Sequence, residues 1–423
     1  MIQFSSSIIR KTITAYSRVI SVCVITVIMF GCSNLGDSLI PVKTSDAWGY
    51  INLKGDYVVN PQFENVGFFS DGLAKVLSPD GKIGYIDTKG NYAVPAIYIR
   101  GTAFSGGLTF VVSEGGYPIC IDKKGNTKFE MKEAEYVYGF SNGLAMFVDK
   151  DGKRGFVDKN GKTVINAQFD DAESFESDLT KIRNNGKYGF VNSSGKIIIN
   201  PQFESVYDFS EGKAAFYNGS KWGYVDKKGT YIINPQFDEA GQFNNGMASV
   251  KQGYKWGYVD KKGAYIINPQ FDEAGQFNDG LALVRQGDKY GYVDKKGAYV
   301  INPQFDKAGS FEDGLAVVQQ GRSYGYINKK GQFVINPQFD EALPFKNGLA
   351  VVKQGNSCGY INKKGQFVIN PQFDGALNFD GKIAFVVSAN KIGFIDKKGK
   401  YTINPQFDIV KLLNLPNPYD DFI

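Results

Sequence analysis

Residues 255–263 read Lys-Trp-Gly-Tyr-Val-Asp-Lys-Lys-Gly, and residues 265–274 read Tyr-Ile-Ile-Asn-Pro-Gln-Phe-Asp-Glu-Ala. The pattern recurs along the chain, with its first glycine at Gly49, Gly84, Gly155, Gly189, Gly223, Gly257, Gly291, Gly325, Gly359 and Gly393. In the one remaining repeat, Ile119 stands at the position of this glycine. Successive slots are 35, 35 and 36 residues apart and then 34 residues apart seven times. A fixed period of this length predicts a tandem array of eleven repeats.

Each repeat is predicted to contain three strands. Leu281 to Gln286 is apolar and suits a buried strand, whereas residues 256–260 have side chains that alternate between two faces. Residues 265–268 form the third, where the position of Ile267 is β-branched in ten of eleven repeats. Phe271 and Phe277 follow in a loop or a short fourth strand, as aromatic anchors against the neighbouring repeat.

The connections predict antiparallel pairing. Asp260-Lys261-Lys262-Gly263 places an aspartate where it can bond its own backbone and a glycine where φ is positive, which is typical of a hairpin turn. Asn268-Pro269 is expected to end the ladder, because proline has no N–H to donate.

The predicted fold is all-β. A unit of 34 residues is shorter than a propeller blade of about 40 to 45 residues, and eleven units exceed the usual four to eight blades. We therefore favour an open, twisted stack of antiparallel β units, with β-propeller-like closure as the alternative.

The repeats resemble the bacterial WG repeat, also called the KWG repeat, over residues 45–411. The sequence departs from that pattern at residues 118–120, where Trp and Gly are both missing, and at Ile83, Arg154, Cys358 and Ile392, which replace the Trp. The glycine is more constant than the tryptophan, so we expect a close backbone approach or a bulge there. The resemblance implies an exported, surface or effector-associated protein and no common activity.

The N-terminus predicts export. Arg10, Lys11 and Arg18 precede an apolar run over residues 19–30, which at 1.5 Å per residue is too short to cross a hydrocarbon core of roughly 30 Å. Residues 29–32 resemble a lipobox in which Cys32 becomes the lipidated first residue, although Met29 and Phe30 depart from its preferred residues. Plain secretion and an uncleaved anchor remain alternatives.

The predicted organisation is a lipoprotein signal peptide at 1–31, a lipidated tether at 32–44, eleven repeats at 45–411 and a C-terminal cap or tail at 412–423. An acidic residue is missing directly after Cys32. By resemblance to Gram-negative sorting signals, this favours retention at the outer membrane.

Composition argues against catalysis and against nucleic acid. The chain has no histidine, and its repeated carboxylates need no catalytic explanation. The net charge of +5 falls to about +2 without the three leader cations, too little for a nucleic-acid signature. We expect no enzyme activity, no cofactor and no metal site. The oligomeric state stays open.

Two recurring surfaces are candidate ligand sites. The first is a lysine ridge at the hairpin tips, suited to polyanions; its residues include Lys227, Lys228, Lys261, Lys262, Lys295 and Lys296. The second is an aromatic column suited to glycans, formed by Trp222, Trp256, Tyr290 and Tyr324. The alternative explanations are solvated turn residues for the lysines and core packing for the rings.

These observations predict a cell-envelope scaffold, held at the membrane by its lipid, that mediates protein or surface interactions. A carbohydrate- or polyanion-binding module that uses the column and the ridge is the alternative.

Overall fold

The computed structural model describes residues 39–44 and 47–408, in which every regular element is a β-strand. The strands form eleven antiparallel sheets, numbered here 1 to 11 in chain order, of which sheet 1 has three strands and the others have four. Strands that follow one another along the chain are neighbours within each sheet. The all-β prediction with eleven units is therefore confirmed.

The strand bounds are as follows. Sheets 1 to 4 contain Ile40–Thr44, Ala47–Ile51, Tyr57–Phe63; Asn65–Ser70, Leu73–Leu77, Ile83–Asp87, Tyr92–Tyr98; Arg100–Gly101, Leu108–Val112, Ile119–Asp122, Thr127–Glu130; and Ala134–Ser141, Leu144–Asp149, Arg154–Asp158, Thr163–Phe169. Sheets 5 to 8 contain Asp171–Ala172, Leu179–Asn184, Lys187–Asn192, Ile197–Phe203; Ser205–Val206, Lys213–Tyr217, Trp222–Asp226, Tyr231–Phe237; Glu239–Ala240, Met247–Gln252, Lys255–Asp260, Tyr265–Phe271; and Glu273–Asn278, Leu281–Gln286, Lys289–Asp294, Tyr299–Phe305. Sheets 9 to 11 contain Lys307–Ala308, Ala316–Gln320, Ser323–Ile327, Phe333–Phe339; Glu341–Ala342, Leu349–Gln354, Ser357–Asn362, Phe367–Phe373; and Gly375–Ala376, Ile383–Ser388, Lys391–Asp396, Tyr401–Asp408.

The Asp-Lys-Lys-Gly segment forms the predicted hairpin turn between the third and fourth strands. One carboxylate oxygen of Asp260 accepts hydrogen bonds from the backbone N–H groups of Lys262 (2.8 Å) and Ala264 (2.9 Å). Gly263 has a φ of +86°, a conformation that favours glycine. The turn chemistry read from the sequence is confirmed.

The last strand of each sheet is longer than the sequence predicted. In sheet 7 it runs through Asn268-Pro269 to Phe271, which lies opposite Trp256. The expectation that the Asn-Pro step ends the ladder was wrong, because the proline falls where the register shifts, in an edge strand where no ladder donor is required. The short additional strand predicted around Phe277 is present, as the first strand of the following sheet: in sheet 8 it is Glu273–Asn278 and includes Phe277.

The Trp-Gly glycine lies against this irregularity. A Cβ on Gly257 would be 2.4 Å from the carbonyl oxygen of Ile267 and 2.7 Å from the nitrogen of Pro269. In sheet 1, a Cβ on Gly49 would meet Val59 and Pro61 in the same way. The predicted close approach with a bulge is confirmed, and it explains why the glycine is more constant than the aromatic residue before it.

The described chain divides into two compact units. Unit 1 holds sheets 1, 2 and 11 with part of sheet 3, and unit 2 holds the rest of sheet 3 and most of sheets 4 to 10. The cores of unit 2 lie between successive sheets. Between sheets 7 and 8, Tyr258, Ile267 and Phe271 pack with Phe277 and Val284, which are all nearly fully buried. Within unit 2, each sheet from 4 to 9 therefore buries apolar residues against the next one.

Within unit 1 the first and last sheets pack together. Ile40, Val42 and Ile51 of sheet 1 share a buried cluster with residues of sheet 11 that include Phe385 and Phe407. An open stack would leave these two sheets apart. The packing corrects our preference for the open stack and agrees with propeller-like closure, the alternative weighed from the sequence.

Several sequence predictions concern residues outside the described ranges. The signal peptide, Cys32 and the tail at 412–423 belong to this group. The predicted tether reached residue 44, but Ile40–Thr44 is a strand of sheet 1, paired with Ala47–Ile51. The repeat region thus begins at least five residues earlier than predicted.

We predict that Gly49→Ala destabilises the protein by about 1–3 kcal/mol, because its Cβ cannot fit against the backbone at 2.4 Å. Gly67→Ala is the matched control in the same unit, because its Cβ would meet no atom closer than 3.6 Å. Urea unfolding followed by circular dichroism would compare the two variants. Equal unfolding midpoints for both would contradict the role assigned to Gly49.

Candidate functional site

In sheets 7 and 8 the tyrosine that follows the repeat glycine ties its sheet to the next, whereas Phe156, Phe190 and Phe394 stand at this position in sheets 4, 5 and 11. The buried hydroxyl of Tyr258 donates a hydrogen bond to the carbonyl oxygen of Gly275 at 2.7 Å, and Tyr292 donates to Gly309 at 2.6 Å. Burial raises the pKa of both phenols well above the ordinary value, so they remain protonated donors. These recurring hydroxyls are therefore structural groups.

The aspartate that follows the last strand makes a second link between sheets. The carboxylate of Asp272 accepts from Lys255 Nζ at 2.7 Å and from the backbone N–H of Gly287 at 2.8 Å. Lys255 belongs to sheet 7, and Gly287 lies in a turn of sheet 8. The ammonium of Lys255 and the N–H of Gly287 lower the pKa of Asp272, because both stabilise its charged form.

In sheets 6 to 10 the first lysine of the hairpin pair reaches back to a turn of the preceding sheet. Lys261 pairs with Glu211 at 3.0 Å, and Lys227 lies 3.6 Å from Asp178. Lys295 donates to the carbonyl oxygen of Asn245 at 3.2 Å. Half of the predicted lysine ridge is therefore engaged in contacts that hold neighbouring sheets together.

The second lysine of each pair is placed differently. The side chains of Lys228, Lys262 and Lys296 are exposed, and none is in an ion pair with a residue of the described ranges. Lys330 and Lys364 occupy the same place in sheets 9 and 10. Both lysines of each pair are exposed, and the second lysines differ from the first in having no ion-pair partner within the described ranges.

The aromatic column lies at the start of the third strand in sheets 6 to 9, and all four rings are partly buried. Trp256 pairs with Lys251 on one side and with Phe271 on the other. The Lys251 ammonium lies 5.9 Å from the centroid of the Trp256 ring and 2.7 Å from Glu239. In sheet 8, Tyr290 donates to Glu273, which also pairs with Arg285.

The ridge and the column occupy opposite ends of the third strand. In sheet 7, Trp256 is near its start and Asp260 is its last residue, a separation of about 13 Å along an extended strand. The lysines lie beyond that end. The structure therefore does not bring the two predicted sets of residues into one site, and each is a separate candidate surface.

Sequence reasoning missed the links between sheets. It treated Lys261 and Lys262 as equivalent and gave Asp272 no role. One signal was available: Lys255 and Asp272 are 17 residues apart, as are Lys289 and Asp306, which form the same ion pair at 2.5 Å. A separation kept in this way indicates contact between the third strand of a sheet and the residue that follows its fourth strand.

Within residues 39–44 and 47–408, no group of three or more Cys, Asp or Glu residues could hold a metal ion, and no helix is long and apolar enough to cross a membrane.

The eleven sheets and their period define a class of protein, the all-β tandem-repeat proteins. The family model for the WG containing repeat matches ten segments: residues 48–82, 83–117, 155–188, 188–222, 222–256, 256–290, 290–322, 324–358, 359–391 and 392–411. The chain belongs to this WG repeat family. The unmatched segment between 117 and 155 contains Ile119, where the glycine is missing.

Similar solved structures are distant in sequence. The computationally designed Ika8 protein is 12% identical, with a TM-score of 0.29 over 70% of this chain and 98% of that chain. BamB from Moraxella catarrhalis is 10% identical, with a TM-score of 0.30 over 61% and 91%. A eukaryotic initiation factor is 11% identical, with a TM-score of 0.41 over 88% and 97%. No curated protein matches the sequence.

We predict that the links through Asp272 make stability depend on acid pH. A carboxyl whose pKa is lowered by folding stabilises the folded state above its unfolded pKa of about 3.9, and that stability is lost as the pH falls through the folded pKa. The urea concentration at the unfolding midpoint, measured between pH 7 and pH 2, should decrease once the pH is below about 4.

Asp272→Asn should lower the midpoint at neutral pH and reduce this acid dependence, because the link to Lys255 no longer titrates. Asp288→Asn, in an exposed hairpin turn of the next sheet, is the control and should leave the profile unchanged. An identical profile for both variants would refute the contribution of Asp272.

Proposed function

We propose that this chain is a non-catalytic interaction scaffold anchored at the bacterial cell envelope. The observation that carries the proposal is the contrast between two kinds of recurring side chain. The hydroxyl of Tyr258, the carboxylate of Asp272 and the ammonium of Lys261 hold neighbouring sheets together. Other side chains, such as those of Lys228, Lys262 and Lys296, are exposed at equivalent positions of successive sheets, so the same surface is presented several times.

The residue types of the repeats support the proposal that the chain is not catalytic. The sequence has no histidine, and the recurring Asp272 carboxylate and Tyr258 hydroxyl are engaged in structural contacts. An active site is a unique local arrangement, whereas these groups repeat with the period of the fold.

The envelope location rests on the leader. The cationic start, the short apolar run and Cys32 support cleavage, lipidation of Cys32 and attachment to the outer membrane through that lipid. The repeats would then be displayed to protein or glycan partners at the surface or in the periplasm.

Photocrosslinking in the native cell tests this function. Benzoylphenylalanine would replace Tyr254, Lys262 or Ile266, three exposed residues at different places in sheet 7. We expect at least one position to give a discrete adduct of higher mass in the envelope fraction after irradiation, and unirradiated cells are the control. If all three positions yield only the uncrosslinked chain, the scaffold function is rejected.

The same cells test the anchor. Globomycin should cause the uncleaved precursor to accumulate, and mass spectrometry of the mature N-terminus should find a diacylglycerol on Cys32. A mature N-terminus elsewhere would reject lipidation and leave the crosslinking result to stand alone.

A second candidate, binding of polyanions, is favoured by the second lysines. In sheets 9 and 10, Asn328 and Asn362 replace the turn aspartate, which removes a negative charge beside Lys330 and Lys364. The excess of positive charge is therefore greatest there, and its attraction for a polyanion should weaken as salt screens it.

We predict that Lys330→Gln/Lys364→Gln elutes from a heparin column at lower salt than the unmodified chain. Lys307→Gln/Arg322→Gln is the matched control, because both residues are exposed cations of sheet 9 outside the ridge. An equal decrease for the two double variants would indicate an effect of net charge alone and would reject the ridge as a site.

A further inference from the structure

Sheet 6 places a tyrosine side chain beside its aromatic residue, at a position where sheets 7 to 9 have glycine. The ring of Tyr207 stacks on Trp222, with centroids 5.1 Å apart and planes at 14°. Tyr217 lies against the same indole at 5.5 Å. The tryptophan of sheet 6 is thus covered by side chains of its own sheet.

In sheet 7 the equivalent of Tyr207 is Gly241. Trp256 keeps the position of Trp222, opposite the last phenylalanine of its sheet. The backbone also stays in place: Tyr207 N–H donates to Ala215 at 2.9 Å, and Gly241 N–H donates to Ser249 at 2.8 Å. The space that the Tyr207 side chain fills in sheet 6 therefore has no side chain attached at Gly241.

The same exchange occurs in the next two sheets. Gly275 accompanies Tyr290 in sheet 8, and Gly309 accompanies Tyr324 in sheet 9, where Gly309 N–H donates to Val317 at 2.9 Å. Three successive sheets thus keep the ring and lose the side chain that stacks on it.

Charged groups border two of these positions. Glu239 and Lys251 form an ion pair next to Trp256, and Glu273 and Arg285 form one at 2.9 Å next to Tyr290. These groups can donate and accept several hydrogen bonds at the edge of a ring face. A partly apolar ring with hydroxyl groups on its rim matches this combination better than a wholly apolar side chain does.

We propose that Trp256 and Tyr290, each beside its glycine, are stacking sites for pyranose rings of a neutral glycan chain, with Tyr324 as a third, weaker position. A glycan chain has equivalent sugar rings along its length, and successive sheets have equivalent aromatic rings on which these sugars can stack. Several weak contacts of this kind add through effective concentration. The inference rests on the proposed scaffold function, to which it gives a class of ligand.

The test uses calorimetric titration of the purified chain with maltohexaose, cellohexaose and chitohexaose. We expect at least one hexasaccharide to bind with a dissociation constant below about 1 mM. Tryptophan emission should change on binding, because the chain has only three tryptophans and Trp256 is one of them. Trp256→Ala should weaken binding about tenfold, which corresponds to the loss of one ring contact.

Two exchange variants make the test independent of damage to the fold. Gly241→Tyr copies the arrangement of sheet 6 and should block the site. Its Cβ would come within 2.7 Å only of the Ser249 hydroxyl, which can rotate away. Tyr207→Gly should do the reverse, uncovering Trp222 and raising the number of sugars bound. Unchanged far-ultraviolet circular dichroism and an unchanged urea unfolding midpoint of Gly241→Tyr would confirm that it folds.

The proposal is overturned if none of the hexasaccharides binds at about 1 mM, or if Trp256→Ala and Gly241→Tyr both bind as the unmodified chain does. Binding of a tryptophan-containing peptide without binding of any sugar would overturn it in favour of a protein ligand. A chain that yields envelope crosslinks but fails these titrations retains the scaffold function and loses only the stacking sites.

Discussion

The contact between a glycine and an irregular edge strand is the constraint on which each repeat depends. Gly257 has no side chain, so the backbone of Ile267 to Pro269 can lie directly against it. The edge strand can then bulge and continue to Phe271, opposite Trp256. This path places Asp272 directly after the strand, within reach of Lys255. Any Cβ at the glycine would push the two strands apart and displace the residues that connect this sheet to the next.

The stability of this protein depends on contacts between neighbouring sheets. The apolar cluster between sheets 7 and 8 contains residues of both, and the clusters on either side repeat the arrangement. The hydrogen bond from Tyr258 and the ion pair of Lys255 lie around the same interface. Stability is therefore approximately the sum of intrinsic sheet terms and interface terms, and a substitution acts first on the interface that it touches.

Much of the fold could be predicted from the sequence because its signals are local. The turn at Asp260, the alternation along the third strand and the glycine against a bulge each follow from residues close in sequence. Two errors had non-local causes. Proline was expected to end the strand, since the sequence does not show that the proline nitrogen faces the free edge of the sheet. The open stack was favoured because repeat counts carry no information on which sheets meet.

The candidate sites, like the fold, could be predicted from the sequence only in part. Residue type identified lysines and aromatic rings as recurring surface groups, and the structure places them on successive sheets. Which lysine of a pair is engaged depends on a partner about 50 residues away, such as Glu211 for Lys261, and no local pattern reveals it. The covering of Trp222 by Tyr207 likewise requires the strand register. Sequence therefore proposes the groups, and tertiary contacts decide which of them can meet a ligand.

The links between sheets have a direction. Lys261 binds backward to sheet 6, while Tyr258 in the same sheet donates forward to sheet 8. Within unit 2, a chain growing from its N-terminus can thus dock each new sheet on the one already formed, and the newest sheet then carries a bare apolar face. In the finished protein the last such face, with Phe385 and Phe407, is covered by Ile40 and Val42 of the first sheet. Without sheet 11, the apolar side chains of Ile40, Val42 and Ile51 in sheet 1 would lose their cover, so the last repeat also protects the first one.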